Sequence, residues 1–289
     1  MTLQEYLQLK NGSDVRGVAL EGIPGEPVTL TEEAAKNIAK AFCVWLISRT
    51  GETKVCVAVG HDSRLSAQSL SDAVISGIIE TGHDVVFTGL STTPSMFMLL
   101  KDDSLEKRCH GSIMITASHL PFNRNGLKFF SGKGGLESED ITEILTLAAS
   151  YRFAEGKKGR KETLSYLDTY ADSLVRKVRE ATNEEFPLYG KRIVVDAGNG
   201  AGGFFTDKVL KPLGANTNGS QFLEPNGRFP NHIPNPENKE AMRSICQAVK
   251  NANADFGIIF DTDVDRAAAV DKDGNELNRN KLIALISAI

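Results

Sequence analysis

From residue 54 onward the chain alternates short apolar, β-branched runs with amphipathic helical stretches, the pattern of a mainly parallel sheet covered by helices. Residues 54–59 (KVCVAV) read as a strand, 66–80 as a helix stopped at Gly82, 83–88 as a strand, 93–101 as a helix and 111–115 (GSIMI) as a strand. Asn125-Gly126 predicts a turn into a strand at 127–130, and 138–150 reads as a closing helix. Upstream, residues 29–50 place Ile38, Phe42, Trp45 and Leu46 on one helical stripe, with Thr29 and Glu32 spaced as a capping box. In such a sheet, ligand sites lie at the carboxyl ends of the strands.

A charged, glycine-containing stretch at 152–161 (RFAEGKKGRK) interrupts the pattern and reads as a linker. A second α/β unit follows, with a helix over 166–180, a strand at 193–196, a glycine-rich turn and a helix at 204–213. A Pro- and Asn-rich loop then covers 224–236, and 237–251 is helical. Residues 255–260 (DFGIIF) form a further strand that ends in an acidic cluster, and Asp273-Gly274 predicts a hairpin turn. The last helical pattern stops at Ile289 inside an apolar run, LIALISAI, which reads as a cut. The expected fold class is therefore α/β: two consecutive mixed or parallel-sheet domains, 1–153 and 154–253, and the start of a third, truncated one at 254–289.

A length of 289 residues accommodates two cores of ordinary size. The net charge of −4 offers no basic surface for nucleic acid, and no stretch approaches the ~20 apolar residues of a membrane span. Any anion site must be built locally, from a few Arg and Lys and from helix N-termini. Cys43, Cys56, Cys109 and Cys246 form no CxxC pair and no zinc spacing, and Cys43 and Cys56 fall in core patterns. They point to a reducing compartment, the cytoplasm or, after removal of a leader, a plastid. The N-terminal MTLQEYLQLKNGSDVRG has neither signal-peptide nor transit-peptide character.

Two segments carry the chemistry. In DTDVDR (261–266), Asp261, Asp263 and Asp265 alternate at the end of a strand, and carboxylates at that spacing on a tight loop can converge on one hard divalent cation. Mg²⁺ fits best, because a small site that shares its ion with phosphate is where Mg²⁺ usually appears. An EF-hand loop does not fit: its sixth position is Arg266 rather than Gly, and its twelfth is Lys272 rather than Glu. A phosphatase of the haloacid-dehalogenase type also opens with DxD after a strand, but its remaining residues lie downstream, and only 24 residues follow Asp265.

In TASHLPFNRNGLK (116–128), Ser118 follows a strand in a loop that contains His119, Pro121, Asn123, Asn125 and Gly126. A loop hydroxyl at a strand's carboxyl end is well placed to carry phosphate. This is no Gly-x-Ser-x-Gly elbow, and His119, adjacent in sequence, is badly placed to deprotonate its neighbour. A phosphate on Ser118 would add about −1.5 to −2 charge, which calls for a cation of the kind DTDVD can hold. A GxGxxG at Gly198, Gly200 and Gly203 between a strand and a helix leaves dinucleotide binding as an alternative, with Glu224 the loose candidate for the acidic partner.

TASHLPFNRNGLK and DTDVDR resemble the phosphoserine and metal loops of the α-D-phosphohexomutase superfamily, its phosphoglucomutase and phosphomannomutase branch. Ser13–Gly17 (SDVRG), Gly60–Ser66 (GHDSRLS) and Pro225–Pro236 (PNGRFPNHIPNP) resemble three more of its segments, in the same order, so the resemblance runs from about residue 12 to 280. It implies that Ser118 carries the phosphoryl group and that its phosphate joins Asp261, Asp263 and Asp265 around Mg²⁺. Lys128 becomes the proton carrier at the sugar hydroxyl, its pKa lowered by the nearby cations Arg16 and Arg266, which also hold phosphate charge. His119 orients the loop or assists proton transfer, and Arg64 and Asn125 join the phosphate- and substrate-binding set. For Arg16 and Arg64, loop-fixing ion pairs are the competing role. The sequence departs from the family at His61, where Arg is usual, and at Leu120, where Asn is usual.

The implied activity interconverts hexose 1-phosphate and hexose 6-phosphate through a 1,6-bisphosphate, with glucose 1,6-bisphosphate as activator. Hexose phosphates are then the partners. The family's sugar-selecting loop and fourth, phosphate-clamping domain lie beyond Ile289, so the choice of glucose over mannose rests on its being the commoner activity. A chain without those parts is expected to bind sugar phosphate poorly and turn over slowly, or to serve as a non-catalytic phosphosugar- and metal-binding module.

Overall fold

The computed structural model describes residues 1–106, 108–150, 152–153 and 157–288. It divides into two compact units, Met1–Leu167 and Asp168–Ile289.

The first unit runs α1 (Leu3–Leu7), β1 (Lys10–Asn11), β2 (Asp14–Val18), α2 (Glu32–Thr50), β3 (Cys56–His61), α3 (Ala67–Glu80), β4 (Asp84–Leu90), α4 (Thr93–Leu99), β5 (Gly111–Ile115), β6 (Arg124–Ser131), β7 (Gly134–Gly135), α5 (Ser138–Ser150) and β8 (Lys161–Thr163). Its described strands form one mixed sheet in the order β1-β2-β6-β5-β3-β4-β8, with β7 on β6. β5, β3, β4 and β8 are parallel, and β6 is antiparallel to both β5 and β2. β3 is apolar and buried from Cys56 to Gly60 because both faces are covered, and only His61 at its end is polar and partly exposed. One face packs Val57, Val59, Ile113, Ile115, Leu127 and Phe129 against residues of α2, α3 and α5. On the other, the Ser112 hydroxyl donates to the Met96 carbonyl of α4.

α2 begins two residues later than its sequence pattern suggests. Thr31 is the N-cap and accepts from the Ala34 amide, whereas the Thr29 hydroxyl accepts from Val18. Asn125-Gly126 is not a turn either; both residues lie inside β6. A Cβ on Gly126 would lie 2.3 Å from the Val15 carbonyl and 2.8 Å from that of Thr116, so the glycine serves a close approach of strands. The end of the expected linker joins the sheet: β8 starts at Lys161 and pairs with β4, and the Val85 amide donates to the Arg160 carbonyl. The first unit thus extends beyond 153; of that linker, residues 154–156 lie outside the described residues.

The second unit contains α6 (Tyr166–Thr182), most of which falls within it, β9 (Ile193–Asp196), α7 (Lys239–Ala252), β10 (Phe256–Phe260), β11 (Ala267–Asp271) and α8 (Arg279–Ala288). The helix expected at 204–213 is present but starts three residues earlier and is irregular: a 3₁₀ turn at Ala201–Gly203 runs on through Phe204 and Phe205 into a π-helical turn at Thr206–Leu210. β9 pairs in parallel with β10, and β10 antiparallel with β11. α7 covers one face, with Ile245 and Val249 against Val194, Ile259 and Val270. Leu210 and Phe205 pack the other against Ile193, Val195 and Phe260, and α6 lies over Val209 and Leu213. The boundary expected at 253/254 therefore falls inside a shared core, and the acidic strand belongs to the second unit. Asp273-Gly274 does turn the chain: the Gly274 amide donates to the Asp271 carbonyl. Among the described residues, no helix is long and apolar enough to cross a membrane.

Candidate active site and metal centre

The first unit builds a serine-bearing loop at the carboxyl end of β5. Ser118 is buried and sits at φ 52, a left-handed conformation uncommon outside glycine. Such a backbone persists only where its surroundings over-determine it, and they do. The Ser118 amide donates to Thr116 Oγ1 at 2.9 Å, and the Thr116 hydroxyl donates to Asp62 Oδ2 at 2.6 Å. Arg64 is buried beneath the loop, and its guanidinium donates to the carbonyls of Ser118, Leu120, Pro121 and Arg124. Its Nε lies 3.3 Å from Asp62 Oδ2. These contacts make Arg64 a scaffold for the loop rather than the phosphate ligand that the sequence also allowed.

Asn125 is likewise committed to structure: its amide donates to Ser66 Oγ at 2.9 Å and its oxygen accepts from the Gly126 amide. From the outer side Glu26 takes bonds from Asn123 (3.0 Å) and Arg124 (2.9 Å), which hold its carboxyl below the usual range. His119 Nδ1 is 3.5 Å from Ser118 Oγ, the outer limit of a hydrogen bond.

β2 and β6 bring Arg16 and Lys128 to neighbouring strands. The register sets Asp14 opposite Lys128 and Arg16 opposite Gly126, so Asp14, Arg16 and Lys128 share one face of the sheet. Asp14 accepts from Arg16 at 2.9 Å, and Lys128 is buried. The Thr116 amide donates to the Gly126 carbonyl, which fixes the start of the serine loop beside the strand that carries Lys128.

The second unit places its acidic loop as the hairpin turn between β10 and β11. Asp261, Asp263 and Asp265 each offer an oxygen within 4.8 Å of the others, the first two buried and the third exposed. Val264 at φ 65, a costly conformation for a β-branched residue, turns the chain so that alternate side chains converge. The Arg266 amide donates to Asp261 Oδ1, and its Nε lies 3.7 Å from Asp261 and 3.8 Å from Asp265. Three carboxylate donors with one solvent-facing member suit a hard divalent cation that keeps part of its hydration, which is Mg²⁺ behaviour. The residues therefore fit the ion.

The glycine-rich turn at 198–203 supports that loop. A Cβ on Gly200 would lie 2.6 Å from the Thr262 carbonyl, and on Gly203 2.0 Å from that of Leu223. The space that a bound pyrophosphate would need is filled by the chain itself, which removes the basis for dinucleotide binding. A group that sequence reasoning missed is Asp196, buried at the end of β9, with His232 at 3.0 Å.

Residues 7–155 match the family described as phosphoglucomutase/phosphomannomutase, alpha/beta/alpha domain I, and residues 168–274 match its domain II. The chain is 34% identical over 271 residues to a phosphoglucomutase of Neisseria gonorrhoeae, covering 93% of this chain and 55% of that one. It is also 34% identical over 278 residues to a phosphoglucomutase/phosphomannomutase of Thermococcus kodakarensis, covering 94% and 57%. A crystal structure of a phosphoglucomutase/phosphomannomutase family protein from Burkholderia thailandensis superposes with a TM-score of 0.83 at 29% identity, over 99% of this chain and 58% of that one. The chain spans about half the length of the curated relatives it matches.

Proposed function

The chain belongs to the phosphoglucomutase/phosphomannomutase family, and from that premise we propose that it moves a phosphoryl group between O1 and O6 of a hexose phosphate, with glucose phosphates as the main substrate and mannose phosphates the alternative. The observation that carries the proposal is the convergence of three carboxylate oxygens in the second unit, an arrangement that can hold a hard cation of the kind that works on phosphate.

In this reading Ser118 carries the phosphoryl group. The free hydroxyl of a hexose monophosphate attacks phosphorus; its new O–P bond forms as the bond to Ser118 Oγ breaks, giving the 1,6-bisphosphate. The hydroxyl proton passes to a base, for which Lys128 is the candidate, and Ser118 Oγ regains a proton as it leaves. The reverse step, with the intermediate turned round, returns the other phosphate to Ser118. Asp261, Asp263 and Asp265 would hold Mg²⁺, which supplies positive charge to the phosphoryl oxygens. Arg266 and Arg16 add cationic charge, and Arg64 and Asn125 keep the serine loop in shape. Little covalent work is asked of the side chains, since positioning and charge stabilisation account for most of phosphoryl transfer.

The test is a coupled mutase assay on the 289-residue chain with glucose 1-phosphate, Mg²⁺ and catalytic glucose 1,6-bisphosphate. Turnover that disappears in Ser118→Ala supports the proposal. Binding of hexose phosphate and metal without turnover makes the chain a phosphosugar-binding module instead.

A further inference from the structure

The Pro- and Asn-rich loop after residue 224 contains a histidine that the mutase reading leaves without a task. His232 is buried, and both of its ring nitrogens are engaged. Nδ1 lies 2.9 Å from the Ile233 carbonyl, which can only accept, so Nδ1 carries a proton. Nε2 lies 3.0 and 3.1 Å from the two oxygens of Asp196. The same carboxylate accepts from the Gly198 amide at 2.9 Å and from Gln221 Nε2 at 2.7 Å. Phe222 sets its ring edge-on to the imidazole at 5.4 Å between centroids.

These contacts lead to the acidic loop. Gly198 lies under Pro234 and His232: a Cβ there would meet Pro234 at 2.9 Å and the imidazole at 3.4 Å. Two residues on, Gly200 packs against the backbone of Thr262, and the Ala201 amide donates to the Thr262 carbonyl at 2.8 Å. Thr262 stands between Asp261 and Asp263. The chain of contacts is thus His232 to Asp196, Asp196 to the turn at 198–201, and that turn to the peptide that spaces two metal-binding carboxylates.

We infer that His232 is a positioning residue for the acidic loop: clamped on Asp196, it fixes the glycine turn against which Thr262 rests, and so sets the spacing of Asp261 and Asp263. The inference rests on the reading of that loop as a cation site. His232 does not touch the ion. Its effect is more remote than that of an outer partner bonded to a ligand, whose loss in metal sites typically costs about 10–100-fold in affinity, so the low end of that range is expected.

The experiment compares the 289-residue chain with His232→Ala, His232→Gln and Val175→Ala, the last a control that loosens the α6 packing of the same unit. Amide exchange by mass spectrometry is read over residues 197–203 and 261–266, and Mn²⁺ affinity by electron paramagnetic resonance. His232→Ala is expected to speed exchange in both segments and to weaken Mn²⁺ binding about tenfold. His232→Gln, whose amide can still donate to Asp196, should restore part of both, and Val175→Ala should change neither. The inference is overturned if His232→Ala frees the 224–236 loop while 261–266 exchanges as before and Mn²⁺ binds with unchanged affinity. Should His232→Ala fail to fold, His232→Leu, which fills the space but cannot donate to Asp196, decides by the same criteria. If the unmodified chain binds no Mn²⁺, the cation reading fails, and the exchange at 261–266 alone decides whether His232 positions the loop.

Discussion

Arg64 Nη2 donates to the backbone carbonyl of Ser118. A buried guanidinium is thus committed to the peptide that presents the candidate phosphate carrier, while Ser118 itself holds a left-handed backbone. Only a planar fork with donors on two sides reaches the carbonyls of Ser118, Leu120, Pro121 and Arg124 at once. Arg64→Lys, which keeps the charge but offers a single ammonium, should therefore leave carbonyls unsatisfied beside Asp62. A loss of about 3 kcal/mol or more in urea unfolding of the first unit is expected, together with loss of phosphate acceptance at Ser118. Wild-type stability in this variant would show that the loop does not depend on the fork.

The His232–Asp196 pair gives the second unit a pH dependence of defined sign. Burial disfavours the imidazolium, but the hydrogen bond to Asp196, its charge and the bond to the Ile233 carbonyl together more than offset it, and the pKa of His232 is raised. Asp196 is the charged group facing the ring; Gln221 and the Ile233 carbonyl are neutral. A raised folded-state pKa means that the pair stabilises fully below the unfolded value of about 6.5 and that this stabilisation is lost as pH rises through the folded value. Urea midpoints measured from pH 6 to 9 should fall along that range for the wild type and flatten for His232→Gln.

Gly200 tests the support of the acidic loop from the other side. Gly200→Ala puts a methyl 2.6 Å from the Thr262 carbonyl, with backbone rather than a flexible side chain as the obstacle. Something must move, at a cost of about 1–3 kcal/mol. Weaker Mn²⁺ binding by electron paramagnetic resonance should accompany that destabilisation; unchanged affinity would mean that the turn and the carboxylates are independent.

Asp263→Asn removes one charge from the three converging carboxylates while keeping the side chain's size. Calorimetric titration with Mg²⁺ should show the heat of binding lost or strongly reduced, whereas Asp271→Asn, at the far end of β11 and held by Asn275, should bind Mg²⁺ as the wild type does.

Much of this was legible in the sequence because the loops with chemistry follow strands with strong apolar patterns, as in GSIMI before Ser118 and FGIIF before Asp261. What was not legible depends on partners distant in sequence. Asn125-Gly126 carries a turn signature, yet Gly126 is needed because β2 and the Thr116 carbonyl crowd it. The strand before Asp261 seemed to open a new unit, since nothing in its residues announces a parallel pairing with Ile193–Asp196. Arg64 is marked in the sequence by GHDSRLS, but its two candidate roles, phosphate binding and loop fixing, separate only once the carbonyls around it are seen. His232 sits in an aperiodic loop, and only the fold brings it to Asp196.

The most direct test is phosphopeptide mapping after incubation with glucose 1,6-bisphosphate, with and without Mg²⁺, for the wild type and Asp263→Asn. One phosphoryl group on Ser118, transferred only with Mg²⁺ and lost in Asp263→Asn, is the expected result. Phosphate on another residue, or transfer to Ser118 indifferent to both the metal and Asp263, would contradict it.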